Sequence, residues 1–117
     1  VLLTDEEWVR QHFVHYLMGH LHYPRTLIKI ERGLRYNQRL KRSDIIIYNR
    51  QGMPWMLIEC KSPACTLNAQ TLQQVSVYNH TIGATYVVIT NGVDHVCVLA
   101  DREAGSHIVQ KSFPVFT

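Results

Sequence analysis

Four apolar residues in a row, Trp55-Met56-Leu57-Ile58, constrain this chain more than any other feature. Alternate side chains on a strand point to opposite faces, so such a run belongs in a sheet covered on both sides. The run ends in Glu59-Cys60-Lys61. The two charges, two residues apart, share one face while Cys60 points to the other. A charge at the edge of a buried strand is costly unless it is paired or binds something. Either the strand emerges into water at Glu59, or the pair is held there for chemistry.

The rest of the pattern supplies the covering layers. Thr4 and Glu7 have the spacing of a capping box, and Trp8, Val9, Phe13, Tyr16 and Leu17 then recur at helical spacing as far as Gly19. Trp8, Phe13 and Tyr16 are expected in the core. Leu27 to Tyr36 reads as a first strand, Ser43 to Tyr48 as a second and Pro54 to Lys61 as a third, with a hairpin turn in Asn49 to Pro54. A helix follows, capped by Thr66 or Asn68 and stopped by Gly83. Thr85 to Gly92 carries a second buried strand, His95 to Ala100 a further one, and His107 to Phe116 an edge strand or tail. The order α-β-β-β-α-β-β predicts an α/β fold: one domain over residues 1–117 with a mixed sheet of four to five strands flanked by helices.

Composition excludes several classes. At 117 residues the chain supports a single core, and 46% hydrophobic with 18% charged residues is a globular balance. No apolar run reaches the roughly 18–20 residues that span a bilayer, and the first residues lack signal-peptide features. A cytoplasmic location without a membrane partner is therefore expected. Cys60, Cys65 and Cys97 are odd in number and lack a Cys-x-x-Cys pair, which argues against a disulfide framework or structural zinc. The seven histidines carry no HExxH spacing. The net charge is only +3, but Lys29, Arg32, Arg35, Arg39, Lys41 and Arg42 cluster against one acid, Glu31. That run reads either as a solvated hairpin face or as a phosphate-contacting patch.

Strand pairing brings the chemistry together. If the hairpin turns about Gln51-Gly52, Glu59 faces Asp44 across neighbouring strands about 4.8 Å apart. Two carboxylates directly opposite repel unless a cation lies between them. Such hard oxygen ligands suit Mg²⁺, with Mn²⁺ as a substitute, and the Cys60 backbone carbonyl supplies a third oxygen. Lys61 could hold and deprotonate an attacking water, or offset phosphate charge. Arg42, Lys41 and Arg39 before Asp44, with Ser62 and Asn91 at strand ends, are the candidate nucleic-acid contacts.

"SDIIIY", followed fourteen residues after Asp44 by "IECK" and then a helix and a strand, resembles the PD-(D/E)xK nuclease core. "VRQHFVHYL", "KRSDIIIY", "LIECKSP", "QVSVYN" and "GATYVVITNG" resemble the N-terminal domain of type I restriction enzyme R subunits, in particular its short, free-standing versions. The resemblance implies a restriction-endonuclease-like core acting on DNA, with Asp44 and Glu59 as metal ligands and Lys61 as the catalytic lysine. It pairs Gln74 with Tyr78 as a Gln-x-x-x-Tyr motif orienting the DNA backbone or bound waters, and matches Glu7 to an acidic residue on the first helix. The superfamily's "PD" is "SD" here. No Walker A loop occurs, so a translocation function is expected to be absent or supplied by another chain, a separate motor or restriction-modification subunit. One cleft must work as a homodimer or act twice to cut both strands. A nucleic-acid-binding or assembly module that is catalytically silent, and a nuclease acting on RNA or damaged ends, are the rival readings.

Overall fold

In the computed structural model the two apolar runs become adjacent central strands. The structure describes the backbone of residues 5–31, 34–36, 39–41, 44–101 and 106–116, and the side chains of 5–30, 45–100 and 107–116. Helix α1 (Asp5–Gly19) is followed by β1 (Ile28–Glu31), β2 (Leu34–Tyr36), β3 (Arg39–Lys41), β4 (Asp44–Tyr48) and β5 (Pro54–Cys60). Then come α2 (Ala69–Ile82), β6 (Tyr86–Thr90), β7 (His95–Asp101) and β8 (Ser106–Val109). Six strands form one sheet in the order β1-β4-β5-β6-β7-β8. Only β5 and β6 run parallel, because α2 carries the chain back between them; the other neighbours in this sheet are antiparallel.

The expected α/β class holds, with two differences. The stretch Leu27 to Tyr36 is two strands: β1 stays in the main sheet, while β2 pairs with β3 in a separate hairpin. With β8 as a true edge strand, the main sheet has six strands rather than four to five.

Both faces are covered, as the apolar run demands. Ile45, Ile47, Met56, Ile58, Cys60 and Val88 form one cluster with Val9, Phe13 and Leu17 of α1. The alternate residues Ile46, Leu57, Val87, Ile89 and Val98 form the other with Val75 and Tyr78 of α2. Trp8 corrects the expected stripe: it is 47% exposed, with its ring tilted at 36° against His12 and centroids 4.0 Å apart. The buried face of α1 is Val9, Arg10, Phe13 and Leu17, which leaves Trp8 at its margin. Thr4, the expected cap, lies outside the described residues. Among the described residues no helix is long and apolar enough to cross a membrane.

The ends of α2 follow the chemistry of their residues. Asn68 accepts from the Thr71 amide at 3.0 Å and donates its own amide to Thr71 Oγ1 at 2.9 Å, a reciprocal cap. Gly83 ends the helix with φ of 79°, a left-handed conformation that glycine takes without a Cβ clash.

Candidate functional site

The β4–β5 register decides whether the acidic residues meet. The turn between these strands is built on Asn49, whose Oδ1 accepts from the amides of Gln51 at 3.0 Å and Met53 at 2.9 Å. This loop is longer than a two-residue Gln51-Gly52 turn, and a register shift between Ile47 and Tyr48 absorbs the difference. From Ile47 back to Asp44 the pairing is the expected one, and Asp44 is the partner of Glu59. Cross-strand partners share a face of the sheet.

The register adds a residue that sequence reasoning missed. Glu31 at the end of β1 is the partner of Asp44 on the other side. Glu31, Asp44 and Glu59 therefore occupy one row across β1, β4 and β5. The signal was hidden because the first strand was read through to Tyr36, which set no register for Glu31. Side chains of Glu31, Asp44, Arg39 and Lys41 lie outside the described residues, as does all of Arg42. Among the side chains that are described, no three His, Cys, Asp or Glu groups gather into a metal-sized cluster.

Glu59 is two residues from Leu57, so it faces the α2 layer and is 5% exposed. It and Arg10 of α1 are the buried charged side chains among those described. Arg10 was passed over in the sequence because it reads as the polar border of an apolar stripe. Beyond Glu59 the parallel ladder continues for one bond, from the Lys61 amide to the Thr90 carbonyl at 2.8 Å. The carboxyl ends of β5 and β6 thus lie side by side, the edge at which open α/β sheets bind ligands. Lys61 is half-buried there.

The loop after Lys61 is tied down by its own groups. Ser62 Oγ accepts from the Ala64 amide at 3.1 Å, and the Ser62 carbonyl accepts from the Cys65 amide at 2.9 Å. Asn91, 4% exposed, donates Nδ2 to the Cys65 carbonyl at 2.8 Å. Its Oδ1 accepts from Val93 at 2.9 Å and Asp94 at 2.7 Å. Asn91 therefore clamps the β5–α2 loop to the β6–β7 turn. Truncating it in Asn91→Ala leaves those buried groups unmatched and should lower stability by about 1–3 kcal/mol, read by urea unfolding.

The remaining candidates are spread out. Gln74 is exposed on α2, while Tyr78, one turn on, is 2% exposed in the α2-side cluster. Glu7 is half-buried in the acidic first turn of α1, on the helix that covers the opposite face of the sheet from α2. The family model described as type I restriction enzyme R protein N terminus matches residues 5–114. No curated protein matches the chain.

Proposed function

The chain belongs to the family of type I restriction enzyme R protein N termini, and from that premise we propose that it is a Mg²⁺-dependent DNA endonuclease domain of the PD-(D/E)xK kind. One observation carries this reading. The register sets Asp44 opposite Glu59, and Lys61 follows two residues later at the joint carboxyl edge of β5 and β6. The donor set suits the ion: hard carboxylates on adjoining strands match a cation that takes one or two carboxylates and keeps several waters. Glu31 extends that row, and a row of like charges across a sheet is stabilised by a cation.

Asp44 and Glu59, with the Cys60 backbone carbonyl, would hold Mg²⁺ or Mn²⁺. When bound, the ion supplies Lewis-acid polarisation of the phosphoryl group and makes water more acidic. Lys61 would orient the attacking water and help remove its proton, or offset charge on the phosphate. Water attacks phosphorus and gives up a proton, the bond to the leaving oxygen breaks and that oxygen takes up a proton, and no bond to the protein forms. Gln74 lies on the solvent side of α2, where it can reach a DNA backbone. Phosphate contacts, with Arg39, Lys41 and Arg42 as contributors, would make affinity fall steeply with salt. One cleft would cut both strands as a homodimer or by acting twice, with a motor or restriction-modification subunit as a partner.

The test is cleavage of supercoiled, linear and single-stranded DNA and of RNA, with Mg²⁺ or Mn²⁺ and with chelator. Metal-dependent nicking of DNA is expected. A metal concentration about a hundredfold above its Kd should also stabilise the fold by about 2.7 kcal/mol. DNA binding with no cleavage under any metal would replace the proposal with a silent binding module, and cleavage of RNA alone would reassign the substrate.

A further inference from the structure

A second concave site lies on the α1 face of the sheet, away from Glu59. It is a cavity of about 400 Å³ whose lining includes Tyr16, His20, His95, Gln110, Lys111 and Phe113. That volume falls within the range of small-molecule sites. Cys97, also in the wall, belongs to the cluster with Ile58 and Cys60 on the face opposite Leu57.

The walls are rings held in place. The Tyr16 ring is nearly parallel to the His20 ring, at 15° with centroids 5.1 Å apart, and to the His95 ring, at 13° and 6.3 Å. Phe113 closes on Tyr16 edge-on at 63°. His95 is fixed from below by Phe13 at 5.4 Å and by a 2.7 Å hydrogen bond between its Nδ1 and Thr90 Oγ1. Both imidazoles remain exposed. Near-parallel ring planes that end in exposed imidazoles are a platform for another planar ring. Among the described residues no carboxylate lines the cavity, and Lys111 contributes a cation. Gln110 donates Nε2 to the Ile108 carbonyl at 2.9 Å, which holds its amide in one orientation and leaves Oε1 as an acceptor. Burial pushes the pKa of the Cys97 thiol up to about 11, and among the described residues no three His, Cys, Asp or Glu side chains gather into a metal-sized cluster.

We infer that this cavity binds one nucleotide, its base stacked on the Tyr16, His20 and His95 rings and its phosphate at Lys111. The choice of a nucleotide over other planar anions rests on the proposed DNA substrate; the platform itself needs neither Glu59 nor Lys61. A free mononucleotide and an unpaired nucleotide of a strand present the same chemistry.

The ring signals of His20 and His95 report occupancy directly. The isotope-labelled chain, with chelator present, is titrated with dAMP, dTMP, a hexathymidylate and inorganic phosphate, with His12 and His80 as internal controls. Saturable ring-current shifts confined to His20 and His95 are expected. Lys111→Ala, an exposed position, should weaken the apparent affinity roughly tenfold, while Lys61→Ala should leave it unchanged. Response to mononucleotides identifies a free-nucleotide site, and response to the hexamer alone identifies a strand site. No shift, an equal shift with inorganic phosphate, or an unaltered Lys111→Ala titration overturns the inference. Nicking without these shifts would overturn it while the nuclease reading stands, and shifts without nicking would do the reverse.

Discussion

Lys61→Ala is expected to lower metal-dependent cleavage by about 10²–10⁴-fold, the range for losing one positioned proton-transfer group. The variant should fold, because the strand end at this position is held by the backbone: the Lys61 amide donates to the Thr90 carbonyl whatever the side chain. Lys61 is half-buried at the end of the strand that carries Glu59, so its ammonium places positive charge on that edge. Lys61→Arg should restore little, since a planar guanidinium does not reproduce a compact ammonium that can exchange its proton. The diagnostic contrast is with Glu59→Gln. That variant should lose cleavage and the metal-induced rise in melting temperature together, whereas Lys61→Ala should lose cleavage and keep the rise. Supercoiled-plasmid nicking and thermal unfolding with and without Mn²⁺ check both. Wild-type rates in Lys61→Ala would remove Lys61 from the mechanism.

The contrast is available because the central strand could be read from the sequence. An apolar run buried on both faces allows one orientation of Glu59, Cys60 and Lys61, and Cys60 does pack on the α1 side while Leu57 packs on the α2 side. The helix after it was equally legible, since Asn68 and Gly83 carry the cap and stop signals. Non-local pairing was harder. The Asp44–Glu59 register emerged correctly from a turn that is not the one assumed, because the shift at Ile47/Tyr48 compensates for the longer Asn49 loop. Where no turn constrained the register, at β1, the third acidic position at Glu31 was overlooked. Arg10 and Asn91 show a different limit. Polar residues are buried for reasons of pairing, and a hydrophobic pattern contains no information about which polar group will meet a partner. Asn91 looked like a strand-end contact for substrate, whereas its amide bridges two loops.

Tyr78 separates a structural from a chemical role most sharply. A tyrosine spaced four residues after Gln74 shares its helix face, yet Gln74 is exposed and Tyr78 is 2% exposed among Leu57, Val75 and Ile89. The aromatic body is therefore a core residue between α2 and the strand that carries Glu59. Tyr78→Ala should cost about 3–5 kcal/mol, as for other large aromatic truncations in cores. At roughly 3–6 °C per kcal/mol for a domain of this size, the melting temperature should fall by about 10–30 °C. Tyr78→Phe keeps the ring and should change stability by about 1 kcal/mol. Cleavage in the Phe variant then reads the hydroxyl alone. A loss of activity with the melting temperature nearly unchanged assigns that hydroxyl to positioning at the Glu59 edge. Full activity in Tyr78→Phe, beside a destabilised Tyr78→Ala, means the tyrosine serves the site by seating α2 against β5, and leaves Gln74 as the member of the pair placed to meet DNA.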